Sequence, residues 1–252
     1  MLKINLKNKK SFLKNLKGEL EMKKLIKKGI VFALALFILA PVSILFAACG
    51  ETISKVSTFD ELVQALGGTS DIVQLTNDID VTSEIFVNRK VTLDLNGKTL
   101  SNSKDLWNLK TNQFSLIGSG ENGNLTITGN GRIVAKKDDC YGVDARDGGK
   151  LVIENTEIIG NVTAVYSYEG DVEIRSGTFS IEQLSENFGH KLLINLYDQN
   201  RDAGKTTLKV YGGTYVGFDP ANPMENGYKL LPEGYTSTLV DEATNTYKVT
   251  MS

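Results

Sequence analysis

The sequence predicts an all-β solenoid of stacked parallel strands, with a short capping helix at its N-terminal end and a signal or anchor segment before that. Two observations carry this reading. Beyond Gly67 and Gly68 the apolar residues recur at every second position, the period of a half-buried strand rather than the period of about 3.6 that marks a helix. One unit also returns along the chain, apolar-x-apolar, then a bend usually holding glycine, then a further apolar residue. It runs from Val91 to Leu100, Leu125 to Ile133, Leu151 to Ile158, Val172 to Phe179 and Leu208 to Tyr215.

The unit starts are 34, 26, 21 and 36 residues apart, the shortest close to one turn of a β solenoid and the longer ones leaving room for loops or an extra turn. A single unit would leave its apolar residues in water, so stability requires that neighbours stack and bury them in a continuous core. The runs Tyr141 to Ala145 and Thr163 to Ser167 supply a further strand per turn. An antiparallel sandwich would instead place Asn-Gly hairpins between adjacent strands, for which Asn96-Gly97 is one candidate. The same-sense repetition of the unit favours parallel stacking.

Ahead of the repeats, Ser57 to Leu66 has helical character, with Ser57 as candidate cap, Asp60 and Glu61 in the first turn, and Gly67-Gly68 as the stop. Further upstream the chain reads as a targeting segment. Met22-Lys23-Lys24 opens a basic stretch, Ile30 to Ala48 is apolar, and Cys49-Gly50 follows, in the order of a secretory signal. Residues 1–21 are Lys- and Asn-rich. Within them Lys17-Gly18-Glu19 would be encoded in an AT-rich genome by codons resembling a ribosome-binding site. Met22 is therefore read as the initiator and 1–21 as a mis-assigned extension, against a genuine basic extension from Met1.

The stretch Leu45 to Gly50 resembles the lipobox of bacterial lipoproteins, which implies lipidation at Cys49; Phe46 departs from the leucine most often found there. Two other outcomes stay open: cleavage after an alanine, or a retained 19-residue span despite Pro41. All three expect the body outside the cytoplasm, on the outer face of a bacterial cell membrane or secreted. The expected organisation is 1–21 extension, 22–48 signal or anchor, 49–55 linker and 56–250 β-helix.

Charge narrows the partners. Residues 1–48 hold ten lysines and two acids, whereas 49–252 hold 18 basic and 28 acidic residues. A body about −10 in charge is repelled by phosphate backbones, so no nucleic acid partner is expected. The only cysteines are Cys49 and Cys140, which excludes a disulfide framework and a CxxC metal site; Cys140 is expected to be a buried small residue. His190 is the sole histidine and makes no His-based metal site by itself. No metal or cofactor is expected, and no specific motif supports calcium.

Phe59-Asp60-Glu61-Leu62 with Ala65, Asn77-Asp78-Ile79, and Thr92 to Thr99 resemble the opening of right-handed parallel β-helix proteins of the pectate-lyase-like superfamily. Gly177-Thr178-Phe179 and Gly213-Thr214-Tyr215 are similar to their later coils. The segment Gly217 to Pro223, with Gly234-Tyr235 and Tyr247 to Val249, resembles the end of secreted members. The likeness covers about 56–250 and implies a right-handed fold rather than an activity. Some relatives cleave acidic polysaccharides with clustered aspartates and an Arg or Lys base. Asp138, Asp139, Asp144, Asp147 and Arg146 come nearest to that set, but no catalytic motif transfers residue by residue.

If Val143, Val165 and Ile194 point inward on successive coils, their neighbours point outward. Asp144, Tyr166 and Asn195 then form one row, and Arg146, Tyr168 and Tyr197 a parallel one. Tyrosine faces flanked by hydrogen-bonding groups suit a sugar ring; the same ladder also serves simply to stabilise the sheet. Residues 181–206 interrupt the repeat, as a functional insertion or as a longer coil. The expectation is a surface-anchored, non-catalytic display or adhesion module for glycans or a host surface. The alternatives are a small polysaccharide lyase or hydrolase, or a structural subunit associating through solenoid ends.

Overall fold

In the computed structural model, residues 50–108, 114–136, 140–184, 186–223 and 228–252 are described. Cys49, the segments 1–21 and 22–48, and Asp138 and Asp139 lie outside them. Among the described residues no helix is long and apolar enough to cross a membrane.

Strand β1 (Ile53–Val56) and helix α1 (Phe59–Gly67) precede the first coil, which runs β2 (Ile72–Leu75), β3 (Ile79–Asp80) and β4 (Ile85–Val87). The next coil is β5 (Lys90–Asp94), β6 (Thr99–Ser101) and β7 (Ser115–Ser119), followed by β8 (Asn124–Thr128), β9 (Arg132–Val134) and β10 (Tyr141–Ala145). Then come β11 (Lys150–Ile153), β12 (Glu157–Gly160) and β13 (Thr163–Ser167). The last full coil is β14 (Asp171–Ile174), β15 (Thr178–Ile181) and β16 (Ile194–Leu196), with α2 (Asp198–Asp202) after it. Strands β17 (Thr207–Val210) and β18 (Gly213–Val216) begin another turn, and β19 (Tyr235–Asp241) and β20 (Thr246–Met251) close the chain.

Each coil therefore places one strand in each of three sheets, ordered β1-β2-β5-β8-β11-β14-β17, β3-β6-β9-β12-β15-β18-β20-β19 and β4-β7-β10-β13-β16. Pairing is parallel throughout except at β18-β20 and β19-β20, so the fold is a parallel β-helix closed by an antiparallel hairpin. The repeat positions read from the sequence coincide with one sheet: Val91, Leu125, Leu151, Val172 and Leu208 are successive partners in register. Leu100, Ile133, Ile158, Phe179 and Tyr215 make the equivalent row in the second sheet, and Ile85, Ile117, Val143, Val165 and Ile194 in the third. These rows fill the interior, each aliphatic side chain removed from water contributing about 1.5–3 kcal/mol. Cys140 is fully buried in the same core.

Helix α1 sits over the N-terminal coil with Leu62 and Leu66 buried. Its cap is Thr58, one residue later than the sequence suggested: the Thr58 hydroxyl accepts from the Glu61 N–H. Ser57 instead donates its N–H and hydroxyl to the Glu61 carboxylate, at 2.8 and 2.9 Å. Strand β1 begins inside the segment read as linker and ends at Val56, the first residue assigned to the β-helix. Within the stretch 181–206, β16 supplies the third strand of a long coil by pairing with β13, and α2 follows it.

Candidate functional site: an aromatic cleft above a buried acid pair

The third sheet carries the two outward rows that the alternation predicted. Asp144, Tyr166 and Asn195 are register partners, and the row extends down through Gly118 to Phe86. One position on from the register pairs Ala145, Ser167 and Leu196 stand Arg146, Tyr168 and Tyr197, as expected.

The rings form a chain of contacts across the coils. Trp107 meets Phe114 and Tyr141 at centroid separations of 4.7 and 5.2 Å, and Tyr141 meets Tyr166 at 4.9 Å. Tyr166 lies 6.3 Å from Tyr168, which stacks on Tyr197 at 4.9 Å and 30°. Tyr168 is 38% exposed, and Tyr166 and Tyr197 are half-buried. Asn200, from α2, donates its side-chain N–H to the Tyr168 carbonyl at 2.7 Å and so fixes the turn that presents this ring.

Beside Tyr168 lies a cleft of about 570 Å³, lined also by Phe86, Asn88, Phe114, Glu121, Arg146 and Asp147. Gly120, the residue after β7, lines it. A Cβ at 120 would meet the Asn88 side chain, and one at 118 would meet Asp144 and Phe86.

Two residues expected to stand on the open face are instead largely withdrawn from solvent. Asp144 points away from the core yet is completely buried, and Arg146 is only 7% exposed. The reason is a second layer of side chains over this sheet. The Arg146 guanidinium lies 4.4 Å from the Phe86 centroid and 5.2 Å from that of Phe114. It donates from Nε to Asp144 Oδ2 at 2.9 Å, from Nη2 to the same oxygen, and from Nη2 to Glu84 Oε1 at 3.2 Å. A guanidinium sandwiched and bonded in this way is a structural cation rather than an open anion receptor.

Glu84 was not foreseen. It arrives just before β4, 30 to 62 residues from its partners, and its side chain is 1% exposed. Oε1 accepts from the N–H groups of Phe114 and Ser115 at 3.2 and 2.9 Å and stands 2.7 Å from the Ser115 hydroxyl. Oε2 is buried with no hydrogen-bond partner among the described residues. The Ser115 hydroxyl is also 2.8 Å from Asp144 Oδ1, so it bridges the two acids.

Burial first, and then the neighbouring Asp144, push the Glu84 carboxyl up to about 7 against the opposing pull of Arg146. Burial likewise raises Asp144, with Arg146 pulling the other way. Burial works against the Arg146 charge, but Asp144 and Glu84 outweigh it and hold the guanidinium above its usual value. Burial and then the adjacent Tyr141 and Tyr168 raise Tyr166, keeping it neutral.

No protein-family model, curated protein or solved structure matches this chain. The site therefore stands on its own geometry. Among the described residues no group of three or more His, Cys, Asp or Glu side chains is placed to hold a metal ion. What the arrangement offers a ligand is a half-exposed tyrosine pair, the exposed edge of Phe86, the Asn88 amide, and carboxylates of Glu121 and Asp147 at the rim.

Proposed function

We propose that this protein is a surface-anchored β-helix module that binds glycans without cleaving them, serving display or adhesion. The observation that carries the reading is the stacked Tyr168–Tyr197 pair beside the cleft. Rings held by neighbours lose little freedom on binding, and they offer a sugar its apolar complement next to hydrogen-bonding groups. The resemblance to secreted β-helix proteins and the Cys49 lipobox support the extracellular setting; the lipid or N-terminal anchor tethers the module to the membrane. Calcium enters nowhere in this reading.

A second reading, a small polysaccharide lyase or hydrolase, draws support from one observation: the raised Glu84 carboxyl beneath the cleft. The burial of Glu84 and Asp144 weighs against it, because a catalytic acid needs hydrogen-bond reach to its substrate. A glycan array and a depolymerisation screen separate the two. Retention on a polysaccharide without product release, abolished in Tyr168→Ala/Tyr197→Ala with unchanged thermal unfolding, is expected. Product release would establish the enzyme, and silence in both assays would sink the glycan reading.

A further inference from the structure

The Ser115 hydroxyl owns one hydrogen, yet it stands within hydrogen-bond distance of two carboxyl oxygens, 2.7 Å from Glu84 Oε1 and 2.8 Å from Asp144 Oδ1. That hydrogen serves one carboxylate fully, and the second contact is best satisfied when the hydroxyl accepts from the other carboxyl. Accepting from a carboxyl requires that carboxyl to carry a proton. Charge points the same way. Two ionised acids against the one guanidinium described beside them would leave a net negative charge inside a layer where Asp144 is fully buried, the Glu84 side chain is 1% exposed and Glu84 Oε2 has no partner among the described residues. One added proton makes the cluster neutral.

We propose that Glu84, Ser115 and Asp144 form a proton-binding site, one proton shared between the two acids, that couples the wall of the aromatic cleft to external pH. The proton belongs to the pair rather than to either residue. The groups around it are fixed. Arg146 bonds both acids, and the Asp147 carboxylate in the next turn opposes ionisation of Asp144. Tyr166, on the adjacent strand, stays neutral. On the α1 side, Asp60 lines the same hollow as Glu84 and adds no compensating cation.

Loss of the proton leaves an uncompensated charge against Arg146, which stacks on Phe86, and both residues line the cleft. The wall relaxes to admit water to the pair. Below neutrality the wall is packed as described; above it the rings separate. The proton site and its coupling to the wall hold whether or not the cleft takes a sugar.

The chain carries a built-in reporter. Trp107 is its only tryptophan and packs 4.7 Å from Phe114, which in turn lies against Arg146. Infrared spectra of the full-length chain should show one buried protonated carboxyl per molecule at about pH 6, gone by about pH 8, and Trp107 emission should shift with the same midpoint. Glu84→Gln should remove the carboxyl signal and leave Trp107 emission flat across that range. If Glu84→Gln does not fold, the wild-type titration decides alone. Carboxyls that are all ionised at about pH 6 would overturn the proton site. A proton lost with no change in Trp107 emission would overturn its coupling to the cleft.

Discussion

The carboxylate of Asp144 fills the space that Gly118 leaves on the neighbouring rung: the two are register partners, and a Cβ at 118 would collide with Asp144 Oδ1. Phe86, the partner of Gly118 on the other side, closes the same space to 3.0 Å. Gly118→Ala should therefore displace a buried, bonded charge as well as overpack the layer, at a cost of about 2–4 kcal/mol in urea unfolding. Gly67→Ala is the matched control. It ends α1 with nothing within 4 Å of the place a methyl group would take and no positive φ, so it should be neutral or stabilising by up to about 1 kcal/mol. Equal effects at the two positions would refute the steric account.

Two arginines with two carboxylate partners each should respond very differently to removal. Arg175 donates to Glu154 and Glu173 at 2.6 and 3.0 Å, but its side chain is 52% exposed. Its loss should cost no more than about 1 kcal/mol, because water screens the pairs and solvates the acids left behind. Arg146 is 9% exposed at the side chain, and its removal strands Asp144 and Glu84 in a layer without another cation described beside them. Arg146→Ala should cost about 3–5 kcal/mol. Chemical denaturation of the two variants at neutral pH checks the contrast.

Stability should fall as pH rises from about 4.5 to about 7. Glu84 is near 4.5 in the unfolded chain and raised to about 7 in the fold, so between these values the folded state holds the extra proton. Its stabilisation is complete below the unfolded value and lost through the folded one. The interval corresponds to a loss on the order of 3 kcal/mol, and raised Asp144 acts in the same direction. Glu61, Asp71 and Asp241 are lowered by hydrogen bonds from Ser57, Thr52 and Thr244, respectively. Their contribution is present above the ordinary carboxylate range and fades only as pH drops below it. Thermal melts across this range should slope downward in wild type and lie nearly flat in Glu84→Gln.

The coil repeat was legible because it is local. Alternation and bends mark Val91, Leu125, Leu151, Val172 and Leu208, and these lie on a single ladder. The strand Ile72–Leu75 belongs to that ladder too, but its short apolar run lacks the glycine bend that marked the others. The outward rows followed from the same alternation, so Tyr166, Tyr168 and Tyr197 were placed correctly. Burial of Asp144 and Arg146 was not legible, since it depends on Phe86 and Phe114 folding over the sheet from other coils. Glu84 was equally hidden: its bonds to Ser115 and Arg146 span 31 and 62 residues. The one available signal was the paired small residues Gly118 and Gly120 in β7 and just beyond it, which mark a place where side chains from adjacent rungs must fit.

The C-terminal end should come apart before the rest. Tyr215 is fully buried, stacks on Phe179 at 5.0 Å and 13°, and donates its hydroxyl to the Gly212 carbonyl at 2.7 Å. It is also the residue of β18 that faces Tyr247 of β20, where parallel stacking gives way to the antiparallel hairpin. In a solenoid each coil is held mainly by its neighbours, so damage at this end propagates weakly toward the other. Tyr215→Phe keeps the stack and removes the bond to the Gly212 carbonyl, a loss of about 1–2 kcal/mol. Tyr215→Ala removes the stack as well, for about 3–5 kcal/mol. Limited proteolysis of the alanine variant should cut within 217–252 and spare the coils from β2 to β14, whereas the phenylalanine variant should resist. Cleavage spread evenly along the chain would mean that the coils unfold as one unit and that the hairpin is not a separable cap.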